Sequence, residues 1–261
     1  MGICFSDDIE DNLKNRFDNG KVTKVYKLDN LKLQSLNFEN KYEISGKINV
    51  FSAKNNLLSD LSQEFFNKIT EIKKVDLSYN QFKEFPNTLF NLAYPMKILF
   101  LTNNKITKIP NNISSFIKLK ELNLSSNEIN FIPNEINNLK ELETLDLSHN
   151  NINTFIDDLI ILEQLSFLNL SYNKISLIPK GNWNQSKIIQ LDLCYNNISN
   201  IPDQIFGESK VTVLKLTGNN LTTTDLKNLD SFPKYLERRK MLKDQGFKHD
   251  LNITFSLCGL D

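Results

Sequence analysis

Asparagine recurs at a nearly fixed interval through most of the chain, at Asn80, Asn104, Asn127, Asn150, Asn173, Asn196 and Asn219; the first interval is 24 residues and each later one 23. Each asparagine sits in the same apolar frame. Leu142, Leu145 and Leu147 precede Asn150, and Ile152 and Phe155 follow it, giving L-x-x-L-x-L-x-x-N-x-L. Self-similarity at this period constrains the fold more than any other feature. One unit is too short to bury its own apolar face, so the units must stack into a solenoid with a continuous core.

The frame reaches further towards the N-terminus than its asparagines. Ile48, Phe51, Ala53, Asn56, Leu58 and Leu61 form a degenerate unit, and before it Tyr26, Leu28, Leu33 and Leu36 fit with Leu31 in the asparagine slot. Nine units over residues 22–228 follow, with Asn37–Lys47 as a longer connection between the first two. Within a unit the x-L-x-L-x stretch alternates apolar and polar, which predicts a short strand with its leucines inward. Stacked strands predict one curved parallel sheet on the concave face, with short helical or irregular segments on the convex face, an α/β solenoid. The asparagine amide is expected to turn inward and satisfy backbone groups of the turn. The pairs Ile109–Pro110, Ile132–Pro133, Ile178–Pro179 and Ile201–Pro202 then direct the chain into the outer arc, where proline has no ladder bond to lose.

An open solenoid needs caps. At the N-terminal end, residues 7–21 predict a capping helix: Asp7 and Glu10 resemble a capping box, Ile9, Leu13 and Phe17 share one face, and Gly20 is a stop signal. At the other end residues 229–246 predict a second cap, its helix opened by Pro233 and running Lys234–Gln245, with Tyr235, Leu236 and Leu242 over the core. The tail 247–261 has no assignable pattern.

Composition narrows function by exclusion. Lys plus Arg and Asp plus Glu number 31 each, and zero formal charge argues against nucleic-acid binding through bulk electrostatics. Cys4, Cys194 and Cys258 show no paired spacing, which points to a reducing compartment rather than disulfide-bonded caps. No apolar run approaches the roughly 18 residues of a membrane span. Acidic residues follow Phe5 where a secretory signal needs an apolar stretch.

The first residues carry a sharper signal. Met1-Gly2-Ile3-Cys4-Phe5-Ser6 fits M-G-x-x-x-[ST], the acceptor pattern for myristoylation of Gly2. One myristoyl chain binds membranes only marginally, so a second signal is expected. A polybasic stretch is not available in residues 1–20, whose formal charge is −3, which leaves Cys4 as a palmitoylation site. Cys258 is a poor prenylation site because Gly259 is not aliphatic and Asp261 is an unsuitable last residue.

Catalytic constellations are scarce. His149 and His249 have no metal-ligand spacing and no nucleophile nearby, and no glycine-rich phosphate loop is present, so no cofactor and no metal are expected. His149 reads as a solvated surface residue, and Cys194 as a passive thiol on a strand. The run 234–248 has a formal charge of +4 and reads as a cap with a solvated basic face, or as a contact for anionic lipid or an acidic partner. On the concave face the recurring Asp76, Asp146 and Asp192 and Ser78, Ser148 and Ser171 are consensus. The departures are Ile98, Phe100 and Phe167, apolar where polar groups are usual, and Tyr79, Tyr172 and Tyr195, which share the slot before the asparagine. These six are the candidate protein-binding residues, because large apolar and aromatic groups dominate interface energetics.

The frame, with Ile-Pro after the asparagine, resembles the intracellular 23-residue class of leucine-rich repeat proteins, as in Ras-associated scaffolds. Met1-Gly2, the leading helix, Val25-Tyr-Lys-Leu28 and Lys234-Tyr-Leu-Glu-Arg238 resemble a myristoylated branch of that class; the unit Ile48–Leu61 and the tail after Phe247 depart from it. The resemblance implies membrane attachment and protein interaction and supplies no reaction. The expectation is a non-enzymatic scaffold on the cytoplasmic face of a membrane, binding a protein such as a small GTPase or a phosphatase. The competing reading is a soluble, unacylated regulatory subunit of a phosphatase or small-GTPase pathway in the cytoplasm. An enzyme is disfavoured by the missing site residues.

Overall fold

A computed structural model describes residues 7–38, 42, 46–92 and 95–244. Among the described residues, eleven short strands alternate with turns and single-turn helices: β1 Val25–Lys27, β2 Gly46–Lys47, β3 Val50–Ser52, β4 Ile69–Thr70, β5 Lys74–Asp76, β6 Ile98–Phe100, β7 Glu121–Asn123, β8 Thr144–Asp146, β9 Phe167–Asn169, β10 Gln190–Asp192 and β11 Val213–Lys215. Nine of them, all but β2 and β4, form one sheet in sequence order, and every pairing is parallel. At about 4.8 Å per strand the outer strands lie about 40 Å apart. The middle residue of each strand points inward. Tyr26, Phe51, Val75, Leu99, Leu122, Leu145, Leu168, Leu191 and Leu214 form one fully buried row.

After each strand the chain turns at a residue with positive φ, such as Tyr79, Asn103, Ser126 or His149, and the next asparagine enters the core. It then runs outward as an exit segment, crosses the convex side and returns to the next strand. Pro86, Pro110 and Pro133 each precede a 3-10 turn, at Asn87–Asn91, Asn111–Ser115 and Asn134–Asn138. Proline suits this place because its fixed φ starts the turn and its missing N–H has no partner to lose. After Pro179 the convex turn instead buries Trp183, whose Nε1 donates to the Pro179 carbonyl at 2.9 Å. The solenoid therefore has two lateral flanks. The exit flank carries the segments leaving the strands, and the return flank carries the segments entering them.

The repeating asparagines join neighbours more than they close their own turns. Asn150 Nδ2 donates to Leu147 and Ser148 of its own unit and to Leu124 of the unit before, while its Oδ1 accepts from Ile129 N, also of the unit before. The same set recurs at Asn127 and Asn173. Leu31 cannot accept in this way. Its backbone N–H instead donates to Asn56 Oδ1, so the first unit is satisfied from the second.

Helices close both ends. Helix α1, Asp7–Thr23, lays Leu13 and Phe17 into the core, where Phe17 meets Tyr26, Phe38 and Tyr42 at centroid distances of 5.4, 5.2 and 5.0 Å. Gly20 does not stop this helix, contrary to the sequence reading; the helix continues to Thr23. Gly20 is a close approach, since a Cβ there would overlap the Tyr26 ring. The side chains of residues 7–10, with the expected capping box and Ile9, lie outside the described residues. At the other end, after the short helices α2 Gln63–Asn67, α3 Gln204–Gly207 and α4 Thr223–Lys227, helix α5, Phe232–Asp244, starts two residues before the expected Lys234 and takes Pro233 into its first turn. Phe232 and Tyr235 are buried against Phe206, whereas Leu236 is 40% exposed and does not cover the core as expected. Gln245 and the side chain of Leu242 lie outside the described residues.

Candidate functional site: the sheet surface and its exit rim

Two rows of strand residues face outward on the concave surface. In the first row the register runs Lys74, Ile98, Glu121, Thr144 and Phe167, placing Ile98 and Phe167 three strands apart, about 14 Å. In the second it runs Asp76, Phe100, Asn123, Asp146, Asn169 and Asp192. Most of the second row is committed to the turn. Asp76, Asp146, Asn169 and Asp192 accept with Oδ1 from the backbone N–H two residues on, at 3.0, 2.9, 3.0 and 3.1 Å. Asp192 Oδ2 also pairs with Lys215 at 3.0 Å.

Phe100 breaks that pattern. It offers no acceptor, and Thr102 beyond it donates its hydroxyl to Asn123 Oδ1 of the next unit at 2.7 Å. Lys74 Nζ lies 4.5 Å from the Phe100 ring centroid, a cation–π contact across neighbouring strands. Ile98, Phe100 and Phe167 are all half-buried, so each shows part of an apolar surface to the concave side.

The three tyrosines lie elsewhere than the strands. Each occupies the positive-φ turn after the strand, with φ of 57° at Tyr79, 54° at Tyr172 and 52° at Tyr195, and is 44–48% exposed. This places them on the exit rim of the sheet, beside the concave face. His149 shares the slot and stacks on Tyr172 at 4.1 Å and 11°, and Tyr172 stacks on Tyr195 at 4.3 Å and 20°. The stack ends at Gly218, whose φ is +74° and where a Cβ would stand 2.5 Å from Tyr195 Cδ1. His149 is exposed, as the sequence reading has it, and is also a member of an aromatic ladder. Burial, and then the hydrogen bond with Tyr195, raises the Tyr172 hydroxyl above its ordinary pKa.

Cys194 lies beyond the end of β10 rather than on a strand. Burial pushes its thiol up to about 11, so it is protonated at neutral pH and is no nucleophile there. Among the described residues, no group of three or more His, Cys, Asp and Glu is placed to hold a metal ion, and no helix is long and apolar enough to cross a membrane. A shallow hollow of about 380 Å³ beside α1 is lined by Arg16, Asn19, Thr23, Val25 and Lys27. Arg16 already donates there to the Lys27 and Asp29 carbonyls at 2.9 and 3.0 Å. The basic α5 is likewise partly committed: Arg238 donates to the carbonyls of Phe206, Ile205 and Val211 and is a fastener of the cap rather than a free charge. Gly2, Cys4, His249 and Cys258 lie outside the described residues.

The sequence reading missed the difference between the two flanks. From Ser126 to Thr223 the exit segments carry only Glu128 and Lys174 as charges, yet expose Phe131 (55%) and Leu177 (74%) at the fourth position after the asparagine. The return flank is charged. Cross-repeat pairs Lys47–Glu71, Lys118–Glu141, Lys120–Glu143 and Lys140–Glu163 span 2.7, 2.5, 2.6 and 3.3 Å. Backbone bonds run Lys97 N to Lys73 O and Lys120 N to Lys97 O, aligning three lysines along the same edge. The hydrogen bond from Lys47, with Lys24 and Lys73 nearby, holds Glu71 below the usual carboxylate range. Counting positions from each asparagine exposes this partition from Asn127 onwards; in the earlier repeats the fourth position holds Glu84 and Lys108.

Comparison with known proteins agrees with this architecture. Residues 95–152 and 117–175 match the leucine rich repeat family model. No curated protein matches the chain. Among solved structures, a leucine-rich repeat protein of Leptospira interrogans is 27% identical with a TM-score of 0.66, over 72% of this chain and 47% of that one. An internalin of Listeria monocytogenes is 26% identical with a TM-score of 0.61, over 79% of this chain and 61% of that one. Toll of Drosophila, solved in complex with Spätzle, is 25% identical with a TM-score of 0.62, over 73% of this chain and 27% of that one. The chain spans less than two thirds of the length of each of these three.

Proposed function

For this leucine-rich repeat solenoid, we propose the role of a non-enzymatic scaffold that binds a protein on its concave face and is held to the cytoplasmic face of a membrane by acylation of Gly2, with Cys4 as a second acyl site. Leucine-rich repeat domains typically serve as protein-binding scaffolds, and the structurally similar Toll is solved in complex with Spätzle. The observation that carries the binding reading is the half-buried Ile98, Phe100 and Phe167 on a face that the consensus makes polar. Apolar groups there bring little to the fold, whose inward row is complete without them, and they supply the desolvated centre an interface needs.

The anchor rests on Met1-Gly2 with Ser6, and on the resemblance of both ends to the myristoylated leucine-rich repeat-containing protein fifty-seven. Two experiments test the halves separately. Affinity capture with a Phe100→Ala/Phe167→Ala chain is expected to lose at least one partner that the wild type holds; full retention removes the concave-face reading. Membrane fractionation is expected to move the chain to the soluble pool on Gly2→Ala. A wild type that is already soluble favours the unacylated regulatory subunit instead.

A further inference from the structure

We infer that the exit flank is the membrane-facing side of the anchored solenoid, and that its exposed aromatic and aliphatic side chains rest in the bilayer interface. This rests on the anchor proposed above. Helix α1 runs antiparallel to β1: Thr23 adjoins the start of the strand, while Arg16 bonds the Lys27 and Asp29 carbonyls at its end. Asp7 is therefore carried towards the exit flank, about 24 Å along the helix from Thr23. The five residues from Gly2 to Asp7 extend at most about 18 Å. Gly2 is thus tethered to a point on the exit side, and on this inference the acyl chain enters the bilayer there.

The surface on that side suits the interface. Of the twelve large apolar residues exposed among the described residues, six lie on the exit flank: Leu57, Tyr79, Phe131, Tyr172, Leu177 and Tyr195. Tyrosine favours the headgroup boundary because its ring is apolar and its hydroxyl stays hydrated. Phe131 and Leu177 add tips that enter the acyl margin, and between Ser126 and Thr223, where the exit segments are charged only at Glu128 and Lys174, the cost of approach is low. The second signal that one acyl chain requires is then supplied by the fold, from residues far apart in sequence, as well as by Cys4. The lysine-lined return flank is left facing the cytosol.

The test uses the full chain co-expressed with an N-myristoyltransferase, its acylation read by mass, and zwitterionic phosphatidylcholine vesicles, on which the lysines have no net charge to meet. Sedimentation compares the wild type with Phe131→Ser/Leu177→Ser and with Lys73→Glu/Lys97→Glu, all exposed substitutions. Loss of two interfacial apolar side chains is expected to lower partitioning about tenfold, and the lysine variant to stay close to the wild type. An acylated Phe131→Ser/Leu177→Ser chain that partitions like the wild type, or a larger loss in the lysine variant, overturns the orientation while leaving the anchor intact. A chain that the transferase leaves unmodified overturns both, and the mass alone reveals it.

Discussion

The exit and return flanks are made by the same chain at the same period, yet their side chains join neighbouring repeats by different means. On the exit side buried amides do so: each asparagine from Asn80 to Asn196 is at most 9% exposed and spends its side chain on two units. On the return side exposed lysines and glutamates face each other across one repeat. A buried hydrogen bond cannot be lost to water without a desolvation penalty, whereas an exposed ion pair is readily exchanged for hydration. Cohesion on the exit side is thus internal, which frees its surface residues to be tyrosine, phenylalanine or leucine. The return side keeps a charged surface that contributes little to the fold.

The largest expected effect tests this directly. Asn150→Ala leaves Ile129 N–H and three carbonyls without their side-chain partner, and is expected to cost about 3 kcal/mol. Urea unfolding reads this as a lower midpoint at unchanged slope. Lys118→Ala, which breaks the 2.5 Å pair with Glu141, is expected to leave the midpoint where it is. Equal losses in the two variants would abolish the distinction between the flanks.

Arg238 sharpens it, because it is a cation that should matter. It is half-buried and donates to three backbone carbonyls between α5 and the last repeat. Discounted for partial exposure, Arg238→Met is expected to cost about 1–2 kcal/mol. Arg239→Met, one residue on, is the control and should cost much less. Gly218→Ala comes next, at about 1 kcal/mol for a left-handed backbone, and its Cβ would push Tyr195 out of the stack. Near-ultraviolet circular dichroism should register the broken ladder of His149, Tyr172 and Tyr195; an unaltered spectrum would deny that Gly218 terminates it.

The period made the solenoid and its sheet legible, since the spacing of Leu145, Leu147 and Asn150 admits one arrangement of strand and turn. What it did not reveal follows from what a periodic frame averages away. Gly20 read as a stop because glycine's weak helix propensity is local, whereas its job is tertiary contact with Tyr26. Leu236 read as core because it is apolar, but α5 begins at Phe232 and turns that residue and Tyr235 inward instead. Tyr172 and Tyr195 were recognised as unusual, yet their place on the rim depends on the positive φ of the slot, which only the backbone reveals. The second half of each asparagine's bonding was hidden because its partners lie in the preceding repeat.

The smallest effect is the dependence of the comparison on pH and salt. Glu71 and Glu141 are held below their ordinary value of 4.5, chiefly by hydrogen bonds from Lys47 and Lys118. A lowered carboxylate stabilises the fold above its unfolded pKa, and the benefit is lost as pH falls from there through the folded value. Lys120 is raised above 10.5 by Glu143, so its benefit holds below 10.5 and is lost as pH climbs through the folded value. The return flank should therefore weaken slightly at both extremes, and less so in about 1 M salt, where screening shortens to about 3 Å. Asp225, held down by its hydrogen bond from Thr222, adds to the acid arm from the C-terminal cap. The asparagine ladder carries no proton to lose. The cost of Asn150→Ala should then be the same at pH 4 and pH 7, while Glu71→Gln/Glu141→Gln should flatten the acid arm of the wild-type profile. An Asn150→Ala penalty that shrinks with acid would mean that the exit flank, too, depends on charge.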